Sequence, residues 1–159
     1  IDQSVIFHMV DELGYEVGEV KRILQEKSGM LGLTGYSDLR EIETAASQGD
    51  ESCILALRMN AYRVKKYIGA YTAAMNGLDA LVFTAGIGEN SDLLRRLICA
   101  DMEFLGINLD QEKNRVREHS IREIQTEGAR VSILVVPTNE EIEIAKQSFR
   151  LLSSGDASQ

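Results

Sequence analysis

Apolar residues recur every three or four positions through most of the first 75 residues, which is the spacing of one face of an α-helix. The pattern predicts helices over residues 5–13, over 18–27, from Asp38 to the break at Gly49, and over 51–75. A glycine-rich stretch over 29–35 holds three glycines in seven residues. Glycine there permits a positive φ or a close approach of the backbone to a ligand.

The second half of the chain alternates between strand and helix patterns. Short apolar runs predict a buried strand at 80–84 and two paired strands at 121–125 and 131–136, the last of them buried. Helices are predicted over 91–100, 110–118 and from Asn139 to about residue 152, followed by a polar tail over 153–159. With no linker and no internal repeat, the expected organisation is a single α/β domain over residues 1–152.

Ligands of open α/β sheets bind beyond the carboxyl ends of strands. We call the segment that follows the carboxyl end of a strand its exit, and the first exit here, after the strand at 80–84, is residues 86–91. It lacks the Lys and Ser/Thr of a phosphate-binding P-loop, and it has no third glycine at Rossmann spacing. Glu89 and Asp92 would repel a polyphosphate at the following helix start, so a neutral nucleoside suits this exit better. A tight turn in which glycine serves backbone geometry alone remains the alternative.

The second exit follows the strand at 131–136. Thr138 and Glu141 have the spacing of a capping box, in which Glu141 bonds back to the Thr138 amide. Glu140 has no such duty, and its carboxylate is a suitable hard ligand for Mg²⁺. The alternative for Glu140 is an acid that complements the helix dipole. Asp38 and Arg40 likewise have structural alternatives, a helix N-cap and a solvated cation.

Charge and composition narrow the function further. The 159 residues carry a net charge of −8, which argues against a nucleic-acid partner because such binding rests on Lys and Arg. The doublet Arg95-Arg96 is interpreted as a solvated helix face. Cys53 and Cys99 lie in apolar helical stretches without metal-ligand spacing, which favours buried free thiols in a reducing cytosol. No apolar run approaches the roughly 20 residues of a membrane span.

Four separated blocks of the chain resemble the acetate kinase family. They are KSGMLGLTG with SDLR at 27–40, LVFTAGIGENS at 81–91, LGINLD at 105–110 and PTNEE at 137–141. The resemblance covers the chain to about residue 150, and four blocks at consistent spacing are far more specific than any one of them. Within these blocks Leu39 stands where the family frequently has Met or Phe.

The resemblance implies the actin-like ATPase (ribonuclease H-like) fold, as part of a C-terminal nucleotide-binding domain. It also implies Mg²⁺ and a reversible transfer of the γ-phosphoryl of ATP to acetate, giving acetyl phosphate and ADP. By similarity the nucleotide site takes Asp38, Leu39 and Arg40, the adenosine loop is Gly86, Ile87, Gly88, Glu89 and Asn90, and the Mg²⁺ ligand is Glu140.

The family's catalytic residues and its Gly-rich phosphate loop have no counterpart in this sequence. The chain opens with Ile1 rather than Met, which suggests a fragment whose amino-terminal half is missing and which is inactive alone. The expected setting is a cytoplasmic homodimer, with the helix over 51–75 as one guess for its buried surface. A propionate or butyrate kinase and a noncatalytic nucleotide-binding module are the competing interpretations.

Overall fold

The structure, a computed structural model, describes residues 1–155. Its helices are α1 (Ser4–Asp11), α2 (Val17–Glu26), α3 (Gly29–Thr34), α4 (Leu39–Ser47), α5 (Glu51–Met75), α6 (Ala85–Asn90), α7 (Asp92–Cys99), α8 (Gln111–Arg115) and α9 (Glu140–Gly155). Its strands are β1 (Ala80–Phe83), β2 (Arg122–Glu123) and β3 (Ser132–Val135), and a short 3₁₀ helix covers Glu103–Leu105. Within residues 1–155, no helix has both the length and the apolar character needed to cross a bilayer.

The chain divides into two compact units, one over Ile1–Val64 and a second that begins at Lys65. The boundary falls within α5. A single domain over residues 1–152 stays a prediction. The tail predicted from residue 153 begins inside α9, and its residues 156–159 lie outside the described part of the chain.

The first unit is helical, as the apolar periodicity predicted. Its buried apolar side chains are Val20, Ile42, Cys53, Ala56, Leu57 and Ala61. The glycine-rich stretch forms helix α3. Gly29 and Gly35 bound the helix at φ values of 65° and 79°. A Cβ on Gly32 would lie 2.7 Å from the carbonyl oxygen of Lys27. Glycine at position 32 therefore allows a close approach to the backbone of Lys27 and not to a ligand.

The second unit is built on a three-stranded sheet in the described residues, with strand order β1-β3-β2. β1 runs parallel to β3, and β2 runs antiparallel to β3, which confirms the predicted pairing of the last two strands. The buried face of β3 carries Ile133 and Val135, and the surrounding core includes Ile107, Ile124 and Val131. The prediction that β1 is buried holds on one face only, because Val82 on its other face is 50% exposed.

Helix α9 has a different environment from the other long helices. Every residue from 140 to 153 is exposed. The exposed residues include large apolar side chains, namely Ile142, Ile144, Phe149, Leu151 and Leu152. Within this chain the start of α9 is consequently positioned by the residues that precede it and not by packing along its length.

Both cysteines are buried free thiols, as predicted. Burial raises the pKa of the Cys99 thiol to about 12. Such a thiol stays protonated at neutral pH, and it contributes to the core as a small apolar side chain.

Candidate functional site

The carboxyl ends of β1 and β3 lie side by side because the two strands are parallel neighbours, with Phe83 opposite Val135. The pairing continues one residue further, where the Val136 amide donates to the Phe83 carbonyl at 2.9 Å. The Thr84 hydroxyl also donates to the Val136 carbonyl at 2.9 Å. The two predicted exits thus begin at adjacent points of the sheet edge, where ligands of α/β proteins bind.

The first exit is a short helix and not the predicted loop. Residues 85–90 form α6, which begins at Ala85 with a left-handed φ of 59°. The two glycines of this segment have different surroundings. A Cβ on Gly88 would lie 3.1 Å from the carbonyl carbon of Phe83, whereas a Cβ on Gly86 would meet nothing within 4 Å. Packing therefore accounts for glycine at position 88 and does not account for it at position 86.

Arg95 fixes the C-terminal end of α6 through hydrogen bonds from its buried guanidinium. Its guanidinium donates to the carbonyls of Gly88 and Glu89 at 2.8 and 2.9 Å. It also donates to the side-chain and backbone oxygens of Asn114 at 2.7 and 2.8 Å. The residue is 2% exposed. Burial lowers its pKa from the ordinary value. An arginine nevertheless stays charged at neutral pH, so a permanent cation faces the carbonyl end of α6.

The interpretation of Arg95-Arg96 as a solvated face is wrong for Arg95. Arg95 lies one turn before the buried Cys99, and the buried residues of α7 occupy two adjacent rows of one helix face. That spacing is the signal from which the sequence could have placed Arg95 inside. Charge alone favoured the surface, because arginine is seldom buried unless its donors are satisfied.

The two exits are joined by a side chain. Glu89 accepts two hydrogen bonds at Oε1, from the Thr138 amide at 2.8 Å and from the Thr138 hydroxyl at 2.8 Å. The hydroxyl bond is the largest cause of a lowered pKa at Glu89, and the amide bond adds to it. Glu89 is therefore an ionised acceptor at neutral pH. Sequence reasoning assigned Glu89 to the loop but missed this bond, which spans 49 positions.

The predicted capping box at the start of α9 is wrong by one residue. The side chain of Asn139 accepts from the Ile142 amide at 3.0 Å, which makes Asn139 the N-cap. Glu140 and Glu141 then occupy the first two helical positions, and Glu141 is not at the capping-box position. Thr138 is instead bonded to Glu89.

Glu140 suits a divalent cation by its chemistry and surroundings. It is exposed in the first turn of α9, and its carboxylate has no hydrogen-bond or ion-pair partner within residues 1–155. No group of three or more His, Cys, Asp or Glu side chains comes together among the residues described. Mg²⁺ is commonly held by one or two carboxylates together with substrate phosphates and water. A single unengaged carboxylate at this strand exit fits that habit.

Asp38, Leu39 and Arg40 belong to the first unit, where they line or adjoin an open cleft of about 470 Å³. Asp38 is the N-cap of α4, as its structural alternative predicted, and accepts from the Arg40 amide at 2.8 Å. The Arg40 guanidinium also pairs with the Asp38 carboxylate and holds its pKa at about 2. The Arg40 side chain is 89% exposed. It is therefore a solvated cation that is already paired, while Leu39 is half-buried.

Comparison with known proteins covers almost the whole chain. The model of the Acetokinase family matches residues 1–146. An acetate kinase of Flavobacterium johnsoniae is 62% identical over 154 residues, which are 97% of this chain and 39% of that protein. An acetate kinase of Carboxydothermus hydrogenoformans is 51% identical over 152 residues, which are 96% of this chain and 38% of that protein.

Solved structures agree with these relatives. The crystal structure of Porphyromonas gingivalis acetate kinase matches with a TM-score of 0.86 and 42% identity, over 96% of this chain and 38% of that one. A propionate kinase from Francisella tularensis matches with a TM-score of 0.83 and 39% identity, over 91% of this chain and 37% of that one.

The fold of this chain is thus shared with kinases that act on small carboxylic acids. The expected actin-like ATPase fold is confirmed. The chain belongs to the Acetokinase family. It spans about two fifths of the length of the curated relatives it matches.

Proposed function

We propose that the chain is the C-terminal nucleotide-binding part of an acetate kinase, an enzyme that reversibly transfers the γ-phosphoryl of ATP to acetate. The observation that carries this proposal is the 62% identity to a curated acetate kinase over 97% of the chain. The products would be acetyl phosphate and ADP.

Different residues of this chain are proposed to bind the nucleotide and the metal. By the resemblance, the adenosine segment is Gly86, Ile87, Gly88, Glu89 and Asn90, further nucleotide-site residues are Asp38, Leu39 and Arg40, and the ligand for Mg²⁺ is Glu140. When bound, Mg²⁺ neutralises charge on the phosphates. The chain itself binds and orients, since the resemblance places every catalytic residue in the remaining part of the enzyme.

Gly86 supplies the sharpest test of the adenosine segment. Because a Cβ there meets nothing within 4 Å of this chain, Gly86→Ala is expected to leave the melting temperature within about 2 °C. If the proposed adenosine segment contacts the nucleoside at Gly86, the same methyl would take up that space, so the affinity for ADP should fall about tenfold or more. Calorimetry with ADP and adenosine in the full-length enzyme measures this. Unchanged affinity for both ligands would remove Gly86 from the site.

Activity should need the remaining part of the protein. Phosphoryl transfer depends on positioning and on neutralising the phosphates, and this chain offers one acid for metal and no basic phosphate cradle. We expect no acetyl phosphate from the 159-residue chain with ATP and acetate, and turnover from the full-length enzyme. A coupled assay freed of host kinase checks both. Turnover by the chain alone would contradict the proposal.

Propionate is the second candidate for the acid, because a propionate kinase is among the solved structures that match. Comparing kcat/KM for acetate, propionate and butyrate in the full-length enzyme distinguishes the three. A noncatalytic nucleotide-binding module would instead give no turnover with any of them.

We also propose a cytoplasmic setting and a homodimer. A reducing cytoplasm suits the two buried thiols. The proposed dimer interface includes the exposed side of α5.

A further inference from the structure

Glu89 is held at both its ends. Its backbone carbonyl accepts from the buried Arg95 at 2.9 Å, and its carboxylate accepts both the amide and the hydroxyl of Thr138 at 2.8 Å. The first contact fixes Glu89 to the second unit's interior. The second contact uses the carboxylate to hold the residue that precedes the N-cap of α9.

The start of α9 has few other anchors in this chain. Pairing of the strand exit ends with the Val136 amide on the Phe83 carbonyl. Helix α9 is exposed from residue 140 to residue 153. Glu140 follows Thr138 by two residues and its own carboxylate is unengaged within residues 1–155. Its position beside the sheet edge therefore depends on the tether between Glu89 and Thr138.

We propose that Glu89 is a positioning residue that couples the adenosine segment to the metal-binding acid, by fixing the start of α9 and hence Glu140 relative to α6. The inference rests on the proposed function of both exits. It assigns the Glu89 carboxylate a task other than direct contact with adenosine, because Oε1 already accepts the amide and the hydroxyl of Thr138. An ionised acceptor gives the stronger form of such hydrogen bonds, and the lowered pKa of Glu89 keeps it ionised at neutral pH.

Coupling has a measurable definition. If one ligand changes the affinity of a second, the coupling is the ratio of the second ligand's affinities with and without the first. The second ligand changes the affinity of the first by the same factor. For this site the quantity is the ratio of ADP affinities measured with Mg²⁺ and with a chelator, in the full-length enzyme. Glu140 contributes only in the presence of the metal, so a displaced Glu140 lowers the ratio and leaves the affinity without metal unchanged.

Thr138→Val removes the hydroxyl donor at nearly constant shape. We expect the ratio to fall about three- to tenfold, which is within the range for losing one ordinary hydrogen bond, while ADP affinity in chelator stays within about twofold. Thr138→Ser keeps the hydroxyl and should restore the ratio. Glu118→Gln is the matched control, because Glu118 lines the same small cleft as Glu89 and its carboxylate accepts from the Ser120 hydroxyl. It should leave both affinities as they are.

Glu89→Ala completes the experiment. We expect it to lower the ratio at least as much as Thr138→Val, and the double variant to be no worse than Glu89→Ala, because one tether is lost only once. Equal loss of ADP affinity with and without metal would make Glu89 a direct nucleoside ligand and overturn the inference. So would additive losses, or an unchanged ratio in Thr138→Val. Should Glu89→Ala fail to fold, the Thr138→Val and Thr138→Ser pair decides the matter.

Failure of the proposed function looks different. Wild-type protein that does not bind ADP would refute the nucleotide assignment. A ratio unchanged by Glu140→Gln would refute the metal assignment whatever the Thr138 variants do. Calorimetry reports all of these values without any turnover.

Discussion

The two segments proposed for nucleotide binding are held in opposite ways. Asp38–Arg40 is held by bonds between residues two positions apart, and Arg40 is almost fully exposed. The segment over 86–90 is held by Arg95, six or seven positions away and buried, and by Thr138, 49 positions away. One conformation is thus set locally and the other by the tertiary structure.

The difference predicts how each segment responds to change. A solvent-exposed ion pair contributes little to stability, because water already solvates both charges. Buried and part-buried oxygens that lose a buried donor are left unsatisfied, which costs much more. Substitutions at the first segment should therefore be tolerated, and those beneath the second should not.

The largest expected effect comes from Arg95→Ala. It leaves oxygens of Gly88, Glu89 and Asn114 without a donor, each costing about 1–3 kcal/mol, with some relief if water enters. We expect a loss on the order of 3 kcal/mol, which lowers the melting temperature by about 6–12 °C for a chain of this size. Thermal melting of the 159-residue chain measures it.

Two further variants sharpen that result. Arg96→Ala, on the exposed side of the same helix, should change stability by about 0.5 kcal/mol or less. Arg95→Lys should be intermediate, because an ammonium keeps the charge but cannot reproduce the planar fork of donors. Equal melting temperatures for Arg95→Ala and Arg96→Ala would erase the distinction between the two segments.

An intermediate effect is expected at the helix cap of α9. Asn139→Ala removes the acceptor for the Ile142 amide, and a lost N-cap costs about 1 kcal/mol. Because α9 is exposed, the loss should be local: hydrogen exchange at Ile142 should accelerate about fivefold with little change in global melting. Asn139→Asp should retain slow exchange.

Glu141→Ala is the informative counterpart. With Asn139 as cap, Glu141 makes no capping bond, so exchange at Ile142 should barely change. Faster exchange in Glu141→Ala than in Asn139→Ala would return the cap to Thr138 and contradict the position found here.

The smallest effect concerns the pH dependence of the exposed segment. Arg40 lowers the pKa of Asp38 from 3.8 to about 2. A carboxyl whose folded pKa is depressed adds stability above its unfolded pKa and loses it as the pH falls through its folded pKa. The contribution should therefore disappear between about pH 4 and pH 2.

Asp38→Asn keeps an oxygen for the Arg40 amide and removes the charge. Its melting temperature should lie slightly below that of wild type at pH 5, and the gap should close near pH 2. Paired melts across that range measure the gap. A gap that stays constant with pH would mean that the ion pair with Arg40 adds nothing, and that Asp38 acts by capping alone.

The strengths and errors of the sequence-based predictions follow the same division. Helix α5 was predicted at its observed bounds, and the pairing of β2 with β3 was also predicted. Asp38 as N-cap follows from residue type and spacing alone. The errors were the segment over 85–90, which is helical and not a loop, the cap of α9, and the burial of Arg95.

This sequence by itself determined the amphipathic periodicity of its helices, the cap of α4 at Asp38 and the family to which the chain belongs. Each of these depends on residues that are close in sequence, or on the order of motifs along the chain. Which oxygen Arg95 reaches, and that Glu89 holds Thr138, depend on two parallel strands placing their ends together. Thr138 had the right spacing for a capping box, but a carboxylate from the neighbouring exit engaged it and Asn139 became the cap. Only the tertiary structure decided between those acceptors, because their competition arises once distant residues meet.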